Sequence, residues 1–268
     1  MADGIVTDYP ADGVCRITLD RPDSGNAFTH AMYAMLLGEF RRLREDLDVR
    51  VVILTGAGRH FCTGHDLRDA GPDPDRSTDL GELYAAKRFL SRLSAIPVEM
   101  RGLPQPVICA VNGAAAGIGL ALALASDIIL AGERAKFVNA IHNAGTGHEL
   151  GISYMLPRQI GTQRAAELLL TARPVLADEA ERIGLALRAV ADDALMAEAL
   201  AMAEQIRVNV PMGIWMTKQS LWLNQETTSL RAAIELEHRA VHIAQSTQDA
   251  AEKRASFLEK RSPHFSLK

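Results

Sequence analysis

A glycine-rich turn in the middle of the chain places the strongest constraint on the fold. The apolar run Val107–Val111 predicts a buried strand, and glycines follow at positions 113, 117 and 119. The small residues at 121–125 then predict a closely packed helix. A strand that enters a helix through such a turn directs backbone N–H groups at an anionic oxygen above the turn. The sequence therefore predicts an anion site, for either a phosphate or the oxyanion of a polarised carbonyl.

Three other interpretations of these glycines remain open at this point. The spacing matches the turn of short-chain dehydrogenases, which holds a nicotinamide dinucleotide. That turn would follow the first strand, whereas this one comes after residue 112, and Tyr84 and Lys87 are one residue too close for the Tyr-x-x-x-Lys of those enzymes. A phosphate-binding loop would need a Gly-Lys-Ser/Thr sequence, which is missing. The third interpretation is structural, because glycines let a helix pack closely on a sheet.

Composition and charge narrow the class of protein. The chain has 268 residues, of which 48% are hydrophobic and 23% charged, with a net charge of −4. This balance argues against broad binding to nucleic acid or to a membrane surface. No apolar run reaches membrane-spanning length, and residues 1–20 lack the pattern of a secretory signal. Three unpaired cysteines, Cys15, Cys62 and Cys109, indicate reduced thiols, so we expect a cytoplasmic protein.

The hydrophobic pattern predicts an α/β core followed by helices. Residues 5–9 and 14–19 predict a hairpin, Thr29 is expected to cap a helix to about Leu47, and the apolar run 51–55 predicts a strand buried on both faces. The remaining predicted core elements are a helix over 80–100, a strand over 135–138, a helix capped by Thr162, a helix over 177–184 that ends at a glycine, and a strand over 187–191.

The last part of the chain predicts helices alone. Residues 192–262 divide into three or four helices, broken near Pro211, Asn224 and Gln248. We therefore expect a core of residues 1–191 and a C-terminal helical region of residues 192–268. Residues 71–78 are polar and rich in helix breakers, which predicts a mobile segment.

Four motifs in fixed order carry a family resemblance. They are Ile17-Thr-Leu-Asp-Arg-Pro22 with Asn26-Ala27, the stretch 52–67, the stretch 106–119, and Gly161-Thr-Gln-Arg-Ala-Ala-Glu-Leu-Leu-Leu-Thr171. Over about residues 5–195 they resemble the crotonase superfamily, the enoyl-CoA hydratase/isomerase family. The resemblance implies an α/β fold: a crotonase-like spiral of repeated strand-strand-helix units with a C-terminal all-α trimerisation region. It also implies an acyl-CoA thioester as ligand and a homotrimer or dimer of trimers, with no cofactor beyond the coenzyme A of the substrate.

The resemblance also assigns site residues. Members of the family hold the thioester oxygen between two backbone N–H groups, which correspond here to His65 and Ile118. The positions implied for contacts with coenzyme A are Ala27, Thr63, Asp66, Leu67, Gly117, Phe257 and Lys260. The side chain of His65 has a second interpretation, as a surface loop histidine, and Lys260 has one as an ordinary exposed charge.

Departures from the family pattern decide which reaction we expect. The two glutamates that position water in hydratases correspond to Ala121 and Ile141, and neither can transfer a proton. Glu149 matches an acidic position that dienoyl-CoA isomerases use in proton transfer and chlorobenzoyl-CoA dehalogenases use as a nucleophile. We therefore expect an isomerase or lyase-type enzyme in which Glu149 acts on a thioester enolate. The alternatives are a non-catalytic acyl-CoA binding protein, covalent catalysis by Glu149, or a Glu149 that only favours a helix N-terminus.

The histidines do not predict a metal site. His142 and His148 flank the Glu149 loop, and we expect both to be structural or exposed to solvent. His238 and His242 have a helical spacing that could hold a metal, but no third ligand is evident, so we expect a solvated or interfacial pair.

Overall fold

The computed structural model describes residues 4–69, 81–140 and 149–268. The strands are β1 (Gly4–Ala11), β2 (Val14–Asp20), β3 (Val51–Gly56), β4 (Val107–Val111), β5 (Ala114–Ala116), β6 (Ile128–Gly132), β7 (Lys136–Val138), β8 (Val175–Leu176) and β9 (Arg188–Val190). The helices are α1 (His30–Glu45), α2 (Glu82–Arg101), α3 (Ile118–Ala125), α4 (Ile152–Ile160), α5 (Thr162–Thr171), α6 (Ala177–Ile183), α7 (Leu195–Arg207), α8 (Pro211–Asn224), α9 (Leu230–Gln245) and α10 (Gln248–Glu259). The predicted α/β class is confirmed, and residues 71–78 lie outside the described residues.

The main sheet explains the continuous apolar run of β3. Within the described residues it has six strands in the order β1-β2-β3-β4-β6-β9, with β1 antiparallel to β2 and the other pairs parallel. Val52 and Leu54 point into the larger core, which contains side chains of α1, α2 and α3, whereas Val51 and Ile53 point into a second core under α7. Because both faces of β3 are covered, alternating polar residues have no place in it.

A second, smaller sheet changes one detail of the predicted turn. We expected the strand after Pro106 to lead directly into a helix. Instead, β4 ends at Val111, and β5 forms the edge of a three-stranded sheet, in which it pairs with β7 and β7 pairs with β8, before α3 begins. The alanines of β5 adopt extended backbone because their partners at Lys136 and Phe137 complete the ladder. The glycine-rich segment therefore contains two turns, one on each side of β5.

Helix α3 lies in the centre of the molecule. All eight of its residues are buried, from Ile118 to Ala125. A helix that is apolar on every side needs neighbours on every side, and the alanines at alternate positions let them approach closely. The predicted caps are confirmed at Thr29, whose side chain accepts from the Met32 amide, and at Gly184, which ends α6 in a left-handed conformation. The cap predicted at Thr162 is wrong, because α5 begins at Thr162 and its cap is Gly161.

The C-terminal helices follow the predicted breaks. Pro211 begins α8, Asn224 ends it, and Gln248 begins α10. Helix α7 packs on the main sheet through Leu195 and Ala199, which belong to the second core. The boundary at residue 191 stays a prediction. None of the described helices is long and apolar enough to cross a membrane.

Candidate active site

Two segments far apart in the sequence meet at the glycine turn. The amide of Cys62 donates to the carbonyl of Ala114 at 2.9 Å, and the amide of Ala116 donates to the carbonyl of Cys62 at 2.8 Å. This short parallel bridge fixes the register between the 62–66 loop and β5. A Cβ placed on Gly117 would lie 3.5 Å from the Cα of Gly64, so the two backbones touch there. The residues that follow these glycines, His65 and Ile118, are consequently neighbours.

The amides of His65 and Ile118 belong to the Gly64–His65 and Gly117–Ile118 peptide groups. In each group, the carbonyl oxygen accepts a hydrogen bond that fixes the orientation of the peptide. The Gly64 carbonyl accepts from the Phe28 amide at 2.8 Å, and the Gly117 carbonyl accepts from the Ala121 amide at 3.0 Å. In a trans peptide the N–H points opposite to the carbonyl, so the amides of His65 and Ile118 point away from these partners. Gly117 has φ +53° and ψ −116°, which an L side chain rarely adopts. Ile118 is also the first residue of α3, where the helix leaves its amides without helical acceptors.

The side chain of His65 lies in an aromatic cluster rather than on the surface. Its Nδ1 is 3.3 Å from the Tyr33 hydroxyl, and the two rings stack with centroids 5.8 Å apart. His30 and Phe89 meet the His65 ring edge-on at 5.3 and 5.8 Å. Asp69 holds His30 in turn, through a 2.9 Å contact to its Nδ1. The interpretation of His65 as a surface loop histidine is therefore wrong.

Glu149 is half-buried at the entrance to α4. Burial raises the pKa of its carboxyl above the ordinary value of a glutamate. The pKa of Tyr33 is also raised, mainly by burial. A carboxyl with a raised pKa is suited to proton transfer.

The segment after Glu149 adopts an unusual backbone. Leu150 and Gly151 both have positive φ, at +58° and +74°. They lead into α4 and line a groove of about 670 Å³ between α2, α4 and α8, with Val98 and Trp222 on the opposite walls. Glu149 precedes two residues that line this groove and is itself only partly exposed.

The positions of the missing hydratase acids are only partly described. Ala121 lies in α3 and is 2% exposed, with apolar neighbours in the larger core. Ile141, His142 and His148 lie outside the described residues. At Ala121, therefore, the side chain contains no group that can accept or donate a proton.

The residues predicted to contact coenzyme A fall into two groups. Arg21 joins the first group, since its Nη1 donates to the Ala27 carbonyl at 2.6 Å and to the Asp66 carboxylate at 3.0 Å. The Arg68 amide first, and then Arg21, hold the pKa of Asp66 below its ordinary value. Thr63 belongs here too, because its amide donates to the Gly25 carbonyl. Leu67 follows and is 79% exposed.

The second group lies at the end of α10. Phe257 is 79% exposed, and Lys260 caps the helix in a left-handed conformation. Within the described ranges, no hydrogen bond joins Phe257 or Lys260 to the residues around Arg21. Their role toward coenzyme A stays a prediction.

Three residues that build the site were not predicted from the sequence. Asn26 is fully buried, and its amide group donates to the carbonyls of Ala57 and His60 at 2.9 and 2.6 Å, which ties the first loop to the loop after β3. Arg21 links Ala27 to Asp66, and Tyr33 contacts His65. Arg21 and Asn26 stand in a quoted motif, so their polar character was a usable signal. Tyr33 gave none, because an aromatic residue on the apolar face of a helix is an ordinary core residue.

The described residues offer no metal centre. No group of three or more His, Cys, Asp or Glu side chains in this part of the chain could hold a metal ion. His238 and His242 are exposed on α9, as expected of a solvated or interfacial pair. All three cysteines are buried, and burial raises the pKa of Cys15 and of Cys62 to about 12, which keeps these thiols protonated and unreactive.

The fold is that of a crotonase-type protein, and comparisons with known proteins identify the family. The model of the enoyl-CoA hydratase/isomerase family matches residues 10–268. The chain therefore belongs to the enoyl-CoA hydratase/isomerase family, which confirms the resemblance and the fold class. Its relatives are named as enzymes, a probable hydratase and an isomerase, which supports an enzyme of this family.

Three relatives show the range of activities in its neighbourhood. A probable enoyl-CoA hydratase, echA12, of Mycobacterium bovis is 40% identical over 97% of this chain and 92% of its own length. The 1,2-epoxyphenylacetyl-CoA isomerase of Escherichia coli is 37% identical over 96% of each chain. The crystal structure of a probable enoyl-CoA hydratase/isomerase from Mycobacterium abscessus superposes with a TM-score of 0.90 at 38% identity, over 97% of this chain and 98% of that one.

Proposed function

We propose that this enzyme moves a proton on an acyl-CoA thioester, as an isomerase or lyase-type member of its family rather than as a two-glutamate hydratase. The observation that carries the proposal is the pairing of a half-buried Glu149, whose pKa is raised by burial, with a buried alanine at the hydratase position 121. Among the described residues, Glu149 is then the one carboxyl at the proposed site of proton transfer, whereas activation of water by the hydratase route uses two glutamates. The relative of Escherichia coli named as an isomerase supports the same conclusion.

In the proposed reaction, the thioester carbonyl oxygen accepts hydrogen bonds from the amides of His65 and Ile118. The Glu149 carboxylate removes a proton from the α-carbon of a β,γ-unsaturated acyl group, and the electron pair delocalises onto the carbonyl oxygen as a dienolate. The same carboxyl then returns the proton to the γ-carbon, which leaves an α,β-double bond and restores the carboxylate. The two amides stabilise charge that exists only in the transition state and intermediate, and removal of one such donor commonly costs about 2.7–4 kcal/mol.

Coenzyme A would bind beside the oxyanion site. We place its adenine and pantetheine against Ala27, Thr63, Asp66 and Leu67, close to Gly117, with Phe257 and Lys260 at its phosphates. The proximity of Ala27, Thr63 and Asp66 around Arg21 supports the first set. No cofactor other than the coenzyme A of the substrate takes part.

A homotrimer or dimer of trimers is part of the proposal. Helix α9 has no buried residue, although Leu230, Ile234 and Val241 make one of its sides apolar. Such a face is typical of a helix that is covered by another subunit. Sedimentation velocity would give three or six chains, and a monomer at micromolar concentration would contradict this part. A cytoplasmic location also stays a proposal, which fractionation of cells would test.

The test of the reaction is an assay with a panel of β,γ-enoyl-, dienoyl- and phenylacetyl-derived CoA thioesters in D₂O. We expect the double bond to move in at least one of them, with deuterium exchange at the α- or γ-carbon seen by mass spectrometry. Glu149→Gln should abolish both, whereas Glu45→Gln, on the exposed side of α1, should change neither. Turnover that survives Glu149→Gln would show that another group is the base.

Two alternatives make different predictions in the same assay. A non-catalytic acyl-CoA binding protein, which the alanine at 121 also permits, would bind these thioesters without exchange or isomerisation. Covalent catalysis by Glu149 would leave an acyl group on its carboxylate, which quenched mass spectrometry would detect on the peptide that contains residue 149.

A further inference from the structure

The aromatic cluster surrounds the side chain of His65, whose amide is one of the two donors in the proposed reaction. This inference rests on that proposed function. We propose that Tyr33 is a positioning residue for the oxyanion site: its buried hydroxyl anchors the His65 side chain and thereby holds the His65 amide in line with the thioester oxygen. We refer to His30, Tyr33 and Phe89, which surround the His65 ring, as the aromatic clamp.

The need for an anchor follows from the backbone on the amino-terminal side of His65. Gly64 has φ +116° and carries no side chain to limit its motion. The hydrogen bond from the Phe28 amide to the Gly64 carbonyl holds one end of the peptide group, at 2.8 Å. On the other side of His65, the Asp66 amide donates to the Phe28 carbonyl at 2.9 Å. These two contacts hold the backbone on either side of His65, and a third fixed point between them would restrict rotation of its N–H. The Cα of His65 is that point, because the imidazole attached to it is held.

The Ile118 amide is held in place by helix α3 rather than by a side chain. The aromatic clamp is therefore needed only for the His65 amide. The peptide of Ile118 is held at the Gly117 carbonyl by the first hydrogen bond of α3, and its other end continues into that buried helix. The Ile118 side chain is itself in the larger core. The His65 segment is a loop, so a side-chain anchor replaces the helix.

Tyr33 is well suited to this task. It is 1% exposed, Phe28 packs on it at 5.1 Å, and it projects from the first turns of α1, whose start is capped by Thr29. Since burial raises the pKa of the phenol, the hydroxyl stays protonated at neutral pH and is a hydrogen-bond partner for Nδ1 of His65. The bulky side chain at this donor position is thus packed within the protein, against Tyr33 and Phe89.

Tyr33→Phe is the informative variant, because it removes one oxygen and keeps the ring. We expect kcat to fall by about tenfold, which is less than the roughly 10²–10³-fold fall caused by loss of a complete donor. KM should stay within about twofold of the wild-type value. His65→Ala should lower kcat by a similar factor, and the double variant should be no worse than His65→Ala alone, since Tyr33 acts only through His65. Tyr9→Phe, on an exposed tyrosine of β1, is the matched control and should leave kcat unchanged.

A measurement on bound thioester separates this inference from the proposed reaction. Infrared difference spectra of a ¹³C-labelled acyl-CoA should show a carbonyl stretch lowered by binding to the wild-type protein, and a smaller lowering with Tyr33→Phe. If the wild-type protein binds no acyl-CoA or does not lower the stretch, the proposed function is wrong. If it does both and Tyr33→Phe gives the same spectrum and kcat as the wild type, Tyr33 is not a positioning residue and the inference alone is wrong. Melting curves establish that each variant is folded.

Discussion

Gly119 lies against the backbone of Cys62, where a Cβ on Gly119 would collide with the Cys62 carbonyl and come within 2.9 Å of the Cys62 Cβ. The contact places the first turn of α3 directly over the loop that carries His65. Burial raises the pKa of the Cys62 thiol, and backbone hydrogen bonds with Gly64 and then Gly119 oppose that shift. Gly119 therefore sets the separation between the two segments of the proposed oxyanion site.

A methyl group at this position should separate those segments. We expect Gly119→Ala to lower kcat by at least about 100-fold, as loss of an oxyanion donor does, with a smaller effect on acyl-CoA binding. Gly38→Ala is the matched control: Gly38 is exposed in α1 with nothing within 4 Å of an added Cβ, so this change should stabilise the fold by about 0.5–1 kcal/mol. Steady-state kinetics and urea unfolding measure both. A Gly119→Ala enzyme of normal kcat would show that the contact can relax.

Glu149 should make both activity and stability depend on pH. As a base it must be ionised, so kcat should fall as the pH drops through its raised pKa. The folded chain binds this proton more tightly than the unfolded chain does. The stabilising contribution of the carboxyl is therefore complete below the unfolded pKa and lost as the pH rises through the folded one.

Glu149→Gln consequently should be no more stable than the wild type at about pH 4 and more stable at about pH 8, where the wild type has a partly buried charge. Urea unfolding at the two pH values gives the comparison. A stability difference that is constant with pH would mean that the pKa of Glu149 is not raised in the folded protein.

The buried pair of Asp127 and Lys218 should be a large contributor to stability. Lys218 is 4% exposed, and its Nζ lies 2.8 Å from Asp127 and donates to the carbonyls of Met100 and Gln105. Burial lowers the pKa of Lys218, and the charge of Asp127 opposes that shift. Asp127→Ala would leave a buried ammonium without its counter-ion, at a cost of about 3–5 kcal/mol in the free energy of unfolding.

Asp12 provides the control for that measurement. Its side chain is 95% exposed and pairs with Arg207 at 3.3 Å. Asp12→Ala should cost no more than about 1 kcal/mol. Equal losses in the two variants, read from urea titrations, would contradict the importance given to the buried pair.

Hydration of crotonyl-CoA should be undetectable, and Ala121→Glu should not create it. The new carboxyl would enter the apolar core around α3, which we expect to cost at least about 2 kcal/mol of stability. Ala34→Glu makes the same change on the exposed side of α1 and should leave stability within about 0.5 kcal/mol. The loss of absorbance of the conjugated thioester measures hydration. A wild-type protein that hydrates crotonyl-CoA would mean that the assignment of position 121 is irrelevant to its chemistry.

The sequence was sufficient for the elements whose cause is local. The Thr29 cap, the glycine at 184 and the apolar run of β3 each act within a few residues of themselves, so each was predictable. The strand β5 was not, because three alanines carry no strand preference and take that form only through pairing with β7.

In the site, too, the features with a local cause were predictable and those set by tertiary contacts were not. The motifs indicated which peptides could serve as donors, since glycines at 64 and 117 stand next to both. No local pattern indicated that Tyr33 would meet His65, because that contact joins α1 to a loop beyond β3. Glu149 was predictable as a residue, but its partial burial depends on the packing of α4, which only the folded chain defines.

The parallel order of the main sheet has a consequence for the rate of folding. Each of the pairs β3 with β4 and β6 with β9 joins strands that are separated by long stretches of chain. Long loops must close before such pairs form, and folding is slower when more of the contacts join residues far apart in the sequence. The bridge between Cys62 and Ala115 also joins residues far apart in the sequence, so we expect it to form late in folding as well. In a refolding experiment, the ability to polarise a thioester should therefore return with the slowest phase, after most of the helical signal has recovered.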